Sequence, residues 1–573
     1  MVTPLNPETR MHSTRRRNVA LFGLAVLAMA FTASACTNTE IVEVPRAPFN
    51  PAPDSVAGFL GLYTVADNQT TCGNCHVNNQ TEWSGTKHAG AYEALASNPG
   101  QQAFCYGCHT VSQLGNTYAA TGVAGGWNAV PDSVYHNVQC ESCHGPGLTH
   151  VTNPTSQNIP LASVLIPWKN LTTGAVEGGP KDQSCSACHS GTHEPFAEQW
   201  AQSAHSNLRN EVGGPAELPT SCGAACHRGD GAMAKLSGNA PTNYIGKGTA
   251  FPVTCAVCHD PHNKTNSHQL RAPIDNPDVT ANLCTSCHVR SAVATPSFTI
   301  NSRGAHASQG AVYFGEGAGW IPPGFVFDPN NPVQTSHVTG NPRLCAACHV
   351  ARFTTTDQTT GEPFTSVGHL FSPNPCKDPA TGLPIGPREP GGDCPTTATA
   401  RFWTGCVNSG CHADENAAAN LFNASRAEVD ALLDILWNDV NGNTVLETTD
   451  GGVLAQVLAQ HPSTTVPATD SMWYCCTTPS GGAKDASLSI AEGALFNARM
   501  LGDSLYSHND GSKGVHNPAL YKGLIAGSIN AVKAKYGLPI ILSPSQEALI
   551  QKALSAPGVK YTAPAALRQT AAR

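Results

Sequence analysis

The 573-residue chain is poor in aromatic residues, in long apolar runs and in positive charge, on which globular, membrane and nucleic-acid-binding proteins respectively depend. Aromatic residues make up 6% of it while glycine occurs 54 times, so side chains alone are a weak basis for an apolar core. The apolar run at 19–31 is 13 residues long, short of the roughly 20 that a membrane-spanning helix needs. With 32 basic against 40 acidic residues the net charge is −8, which argues against nucleic acid as a partner.

The chain is rich, by contrast, in cysteine followed by histidine. At nine places two closely spaced cysteines are followed directly by a histidine. Seven of these motifs read C-x-x-C-H, and the other two, numbered 5 and 9 below, have wider spacings between the cysteines. In chain order they are motif 1 (Cys72, Cys75, His76), motif 2 (Cys105, Cys108, His109), motif 3 (Cys140, Cys143, His144), motif 4 (Cys185, Cys188, His189), motif 5 (Cys222, Cys226, His227), motif 6 (Cys255, Cys258, His259), motif 7 (Cys284, Cys287, His288), motif 8 (Cys345, Cys348, His349) and motif 9 (Cys406, Cys411, His412).

C-x-x-C-H is the attachment signature of haem c. Two thiols bond to the haem edge, and the adjacent imidazole becomes an axial ligand of the iron. The alternative, zinc, takes Cys and His in sets of four and gives no reason for a histidine after every second cysteine. We therefore predict nine covalently bound haem c groups, which would also supply the apolar mass that the side chains lack.

The amino terminus has the pattern of an export signal, as haem attachment outside the cytoplasm requires. Three arginines at 15–17 precede the apolar run, and Ala33-Ser34-Ala35-Cys36 follows it as a small-residue cleavage site. We predict a lipoprotein-type signal peptide at 1–35, a lipid anchor on Cys36 and a proline-rich tether at 36–57. The expected location is the periplasm, the outer membrane or the cell surface. A twin-arginine signal is the weaker alternative, and Met11 is an alternative start.

Four cysteines remain after the motifs and the signal: Cys376, Cys394, Cys475 and Cys476. Their even number in an oxidising compartment indicates disulfides, and three pairings are possible. Cys376 with Cys394 is the local choice, since it would close a loop rich in proline and glycine.

The nine motifs define a haem region at 58–412, and part of it is repeated. Trp83, five residues before His88, corresponds to Trp200, five residues before His205, and three motifs accompany each copy. We predict a duplicated three-haem unit at 72–150 and 185–268. So little chain lies between motifs that neighbouring haems must nearly touch.

Residues 413–573 form a helical region that we expect to pack on the haems. Capping boxes predict helices that begin after Ser425, Ser489 and Ser543, the second running to about Tyr506. Asn517-Pro518 and Gly537 bound a fourth helix. The predicted fold class is mainly α with extensive loops, a haem-packed core and little sheet.

Thirteen further histidines are available as second axial ligands, whereas only Met233, Met472 and Met500 follow the signal. Nearly all haems are therefore predicted to be bis-histidine and of low potential, because His/Met ligation raises the potential. The favoured distal ligands are His88, His136, His150, His205, His268, His306, His337, His369 and His516. His193, His262, His461 and His508 are less favoured, and a surface or propionate-binding role is the alternative for each. His150 and His262 follow their own motifs too closely to return to the same iron, so each suits a neighbouring haem.

Several segments resemble known multihaem cytochromes c. Cys140-Glu-Ser-Cys143-His144-Gly-Pro146, with His150 beyond, resembles the tetrahaem electron carriers of nitrifiers and the octahaem hydroxylamine oxidoreductase group. The run from Asp510 to Pro518, and the segment around His306, resemble the pentahaem nitrite reductase superfamily. The resemblance implies haems packed as stacked and perpendicular pairs.

The chain departs from these families where they carry catalysis. It has no C-x-x-C-K motif, by which the nitrite reductases attach their open haem, and no identifiable tyrosine cross-link. The sequence therefore favours an electron-transfer protein that serves other redox proteins or an extracellular acceptor. The alternative is an oxidoreductase of nitrite, hydroxylamine or tetrathionate type with one five-coordinate haem, which we would seek first at motifs 5 and 9. A role in haem storage or gas sensing has no positive feature.

Overall fold

The fold is described from a computed structural model of the chain. It describes residues 49–563 except 171–173, 192, 208–223, 242–249, 291, 299, 301–303, 327–329, 331, 388, 390, 409, 461–487, 503–509 and 539–540. The predictions on the signal peptide, Cys36, Cys222, His461, Cys475, Cys476 and His508 therefore lie outside the described residues. Within the described ranges, no helix combines the length and apolar character needed to cross a membrane.

Helices dominate the described chain, and most of those in the haem region are a single turn long. The α-helices are α1 (Val77–Trp83), α2 (Ala91–Ala96), α3 (Tyr106–His109), α4 (Cys140–His144), α5 (Leu148–Thr152), α6 (Phe196–Ala201), α7 (Ala224–His227), α8 (Gly229–Leu236), α9 (Cys255–Cys258), α10 (Thr285–His288), α11 (Gln309–Phe314), α12 (Ser336–Thr339), α13 (Cys345–His349), α14 (Thr404–Val407), α15 (Glu415–Leu436), α16 (Gly452–Gln460), α17 (Ile490–Leu501), α18 (Pro518–Tyr536) and α19 (Pro544–Leu554).

Strands form five small antiparallel pairs in the described part of the chain. They are β1 (Leu62–Thr64) with β2 (Gln69–Thr70), β3 (Trp168–Lys169) with β4 (Val176–Glu177), β5 (Phe325–Val326) with β10 (Lys560–Tyr561), β6 (Phe353–Thr356) with β7 (Pro363–Ser366), and β8 (Cys376–Lys377) with β9 (Pro384–Ile385). The predicted fold class, mainly α with little sheet, is confirmed.

The carboxy-terminal helices α15–α19 hold the largest apolar core. The long helix α18 packs against α15, α17 and α19, and its side chains Leu524, Ile525 and Ile529 are fully buried. Its ends follow local chemistry: the Asn517 side chain accepts a hydrogen bond from Leu520 N, and Gly537 takes the left-handed conformation. The predicted bounds of this helix are confirmed.

Two other predicted helix starts are confirmed and one is wrong. Ser489 and Ser543 form the expected capping boxes at the starts of α17 and α19, and α17 ends at Leu501. Ser425 does not begin a helix, because α15 starts ten residues earlier, where the Asp414 carboxylate accepts from Ala417 N at 2.8 Å. The alanines after Asp414 favour the helix and nothing interrupts it before Ser425.

The haem region has only small apolar clusters of its own. One consists of Ile166, Trp168, Trp200 and Ala250, and it is typical of them in having only four buried members. Cys376 and Cys394 form a disulfide, which confirms the local pairing. The described part of this region is therefore a shell of turns and short helices around space that its own side chains do not fill.

Candidate functional site

The motifs adopt single helical turns that direct their reactive atoms to one side. In motif 3, Cys140 begins the turn and His144 ends it, so the thiols and the imidazole stand at positions i, i+3 and i+4 of one face. Motif 9 differs, because α14 includes Cys406 but ends before Cys411, which is exposed. In motif 5 the helix α7 holds Cys226 and His227.

These turns surround one continuous cavity of about 3310 Å³, several times the roughly 300–1,000 Å³ of an ordinary ligand pocket. Cysteine and histidine side chains of motifs 2 and 4–9 line it. The cavity is thus large enough for several large groups, and the atoms that would attach and ligate them face into it.

Seven of the motif histidines stand opposite a second imidazole. A metal–imidazole bond is about 2.0–2.1 Å, so two imidazoles on opposite sides of one metal ion have ring centres about 6 Å apart. The seven ring-centre distances run from 5.9 to 6.4 Å, and the pairs are His144–His262, His189–His88, His227–His306, His259–His369, His288–His205, His349–His516 and His412–His337. The residues present therefore fit axially ligated haem.

Six predicted distal ligands occur in these pairs: His88, His205, His306, His337, His369 and His516. His262 also faces a motif histidine, although it was outside the favoured set. The two third motifs are alike in this respect, because both His144 and His259 face a histidine more than a hundred residues later in the chain.

The other three predicted ligands have different neighbours. His136 stacks on Tyr92 with ring centres 3.4 Å apart, and His150 Nδ1 lies 3.3 Å from Asn158 Oδ1. The backbone carbonyl of His268 contacts His259 Nδ1. In the described chain none of the three faces a motif histidine, and their role as ligands stays a prediction.

Six of the ligand-type imidazoles in the described chain have a contact between Nδ1 and a backbone carbonyl, which leaves Nε2 directed away from that contact. The contacts are 2.8–3.1 Å long: His109 to Ala91, His144 to Pro160, His259 to His268, His337 to Val515, His349 to Phe371 and His369 to Val367. Such contacts orient a ring and select its tautomer before a metal binds.

Burial keeps many of these imidazoles neutral. Burial lowers the pKa of His205 to about 3, and burial together with nearby His189 lowers the pKa of His88 to about 4. Burial likewise lowers the pKa of His369 to about 4. A neutral imidazole has a free lone pair, the form in which histidine binds a metal.

The two copies of the predicted duplication share their contacts. Trp83 Nε1 donates to Val138 O at 2.8 Å, and Trp200 Nε1 donates to Val253 O at 2.7 Å. The same valines donate their N–H groups to His88 O at 3.1 Å and His205 O at 3.2 Å. Each tryptophan thus holds a ligand-type histidine against the segment that precedes the third motif of its copy.

Cysteines of different motifs also lie close to one another. First cysteines lie within hydrogen-bonding reach between motifs 1 and 3, 4 and 6, and 7 and 8, and second cysteines between motifs 2 and 4, and 5 and 7. Electrostatic interactions between cysteines connect motifs 3 with 4, 6 with 7, and 8 with 9. All nine motifs therefore belong to one connected series.

Two family models match parts of the chain. Residues 71–145 match the family described as cytochrome c554 and c-prime, and residues 250–293 match a doubled CXXCH motif. No curated protein and no solved structure matches it. The matches imply covalently bound haem c and support an electron-transfer or redox role with redox partners. With the nine motifs, they indicate that the chain is a multihaem c-type cytochrome.

Proposed function

We propose that the protein is an electron-transfer wire with nine haem c groups. The observation that carries the proposal is the proximity of cysteines from different motifs in a series that runs 1–3–4–6–7–8–9, with motif 2 beside motif 4 and motif 5 beside motif 7. In this series the pairs 3–4, 6–7 and 8–9 are linked by electrostatic interaction alone. Haem c supplies one-electron exchange at its iron when bound. The chain supplies the spacing, because neighbouring thiols bring the edges of the groups attached to them close together.

The seven facing imidazole pairs are, in this proposal, the axial ligands of motifs 3–9. Two fixed imidazoles keep the iron six-coordinate in both oxidation states, which suits electron transfer without a change of ligands. Each of the seven pairs consists of two histidines, so in this proposal neither Met233 nor Met500 is an axial ligand of motifs 3–9. Low potentials are therefore expected, because His/Met ligation would raise them.

The location and partners form the second part of the proposal. The amino-terminal pattern supports export and lipidation of Cys36, followed by a tether at 36–57. A wire held at a membrane surface would accept electrons from one redox protein and deliver them to another or to an extracellular acceptor. The connected series supports this role, because motifs 1 and 9 stand at its two ends.

One observation favours the enzyme as a second candidate. No described imidazole stands opposite His76 or His109, so motifs 1 and 2 are candidates for an iron with an open position. Motifs 5 and 9, where an unusual haem was expected first, both have a facing imidazole. An open position would allow a nitrogen or sulfur oxyanion to bind.

The deciding experiment is EPR spectroscopy of the fully oxidised protein, with haem counted by mass. Nine haems per chain with low-spin signals alone would support the wire. A high-spin signal equal to one or two ninths of the total would favour the enzyme, and H76A and H109A variants would assign it. A mass that accounts for fewer than nine haems would contradict the proposed count.

A further inference from the structure

Among the described contacts of the facing imidazoles, that of His516 is to a buried carboxylate. His516 Nδ1 lies 2.6 Å from Asp510 Oδ1, and the Asp510 side chain is completely inaccessible to solvent. The His516 ring faces that of His349, with ring centres 6.2 Å apart. A buried carboxylate therefore stands directly behind the distal imidazole of motif 8.

The contrast with the other sites is one of charge. The Nδ1 contacts of His337, His349 and His369 are to neutral backbone carbonyls. His262 also approaches a carboxylate, that of Asp260, but the distance is 3.3 Å and the His262 side chain is about half exposed. Arg271, 2.9 Å from the other oxygen, partly compensates that charge.

Asp510 is fixed in place by the loop that leads into α18. The hydroxyl of Ser512 and its backbone N–H, the latter at 3.2 Å, both donate to Asp510 Oδ2. The same hydroxyl oxygen accepts from the backbone N–H of His516 at 3.2 Å. The carboxylate therefore cannot turn away from the ring without breaking this turn.

A carboxylate acceptor draws the Nδ1 proton towards itself and makes the imidazole a stronger, more anionic ligand. Such a ligand stabilises the oxidised metal more than the reduced metal, so it lowers the reduction potential. Burial strengthens the effect, because water does not screen the charge.

We propose that Asp510 is a redox-tuning residue that lowers the potential at motif 8 below that at motifs 7 and 9. The proposal rests on the proposed function, in which His349 and His516 are the axial ligands of motif 8. Motif 8 stands between motifs 7 and 9 in the series, so a low potential there makes the step onto it unfavourable. Asp510 would thereby control how readily electrons reach motif 9.

The test is potentiometry with optical and EPR detection on the full-length holoprotein, comparing the wild type with D510N. The amide keeps the shape of the side chain and removes its charge. We expect one midpoint potential to rise by at least about 59 mV, which corresponds to a tenfold change in a one-electron reduction equilibrium. D357N removes a charge from an exposed turn and should leave every potential unchanged.

Two further variants make the result decisive. S512A removes a donor from the carboxylate and should shift the same potential in the opposite direction. This variant carries the test if D510N does not assemble. H516M identifies the signal of motif 8; an unchanged spectrum there would show that His516 is not a ligand, and would overturn the axial assignment itself. The tuning role alone would be overturned if S512A and D510N, each with all its haems, kept the wild-type potentials while H516M altered the spectrum of motif 8.

Discussion

His144 faces His262, a residue of the other copy of the predicted duplication, with ring centres 6.1 Å apart. Because His/Met ligation has a higher potential than bis-histidine ligation, H262M should raise one midpoint potential and alter one low-spin EPR signal. His193 is exposed and has no described ring opposite it, so H193M is the matched control. Equal spectra for H262M and the wild type would remove His262 from the ligands.

The two tryptophans of the repeat should contribute equally to stability. W83F and W200F each keep an aromatic ring but leave a valine carbonyl without its donor. These hydrogen bonds are partly buried and an unpaired buried acceptor costs about 1–3 kcal/mol, so each variant should lose no more than that and both should lower the midpoint of thermal unfolding of the holoprotein by similar amounts. A large loss in one variant and none in the other would argue against equivalent roles.

The disulfide closes a loop before motif 9, with its two cysteines 18 residues apart. Closing a loop of that size is worth about 3 kcal/mol, chiefly through the unfolded state. C376S/C394S should therefore unfold at a lower temperature than the wild type and respond less to added reductant. An equal response of both proteins to the reductant would mean that this bond contributes nothing.

Acid should weaken the carboxy-terminal bundle through Glu428 on α15. Its oxygens lie 2.6 Å from Lys522 on α18 and 2.5 Å from Lys552 on α19. Burial alone would raise the pKa of Glu428, but the two lysines outweigh it and hold the pKa below its ordinary value. A lowered pKa gives stability that is present above the ordinary value, about 4.3, and is lost as the pH falls through the lowered one.

E428Q should consequently be less stable than the wild type by about 0.5–1 kcal/mol near neutral pH, as expected for a partly exposed ion pair. The difference should shrink as the pH falls below about 4. Chemical unfolding at several pH values measures it. E362Q, at an exposed position between β6 and β7, is the control and should match the wild type throughout. A pH-independent difference for E428Q would exclude the ion pairs as its cause.

Local chemistry explains which parts of the fold were predictable. The ends of α18 follow from Asn517, Pro518 and Gly537, because a helix cap depends on atoms within a few residues. Ser425 shows the limit of this reasoning: its capping box fits the pattern, but a cap cannot act inside a helix that already began at Asp414.

The functional site likewise has a part that the sequence predicts and a part that it does not. Attachment residues are adjacent in sequence, so the motifs identify them directly. Facing imidazoles come from distant segments, as His369 does for His259, and their assignment depends on how turns pack around groups that the sequence does not encode. The contact between the Asp510 carboxylate and His516 could likewise not be predicted from the sequence, although both residues lie in the segment that resembles the pentahaem nitrite reductase superfamily.

The facing of imidazoles between the two predicted copies has a consequence for their assembly. His88 of the first copy faces His189 in motif 4 of the second, and His262 of the second copy faces His144 in motif 3 of the first. In the proposed wire neither copy holds every axial ligand of its own irons, because motif 3 depends on His262 and motif 4 on His88. The two segments would therefore have to pack together before the irons of either are fully ligated, and a fragment that carries one copy alone would leave at least one iron with an open axial position.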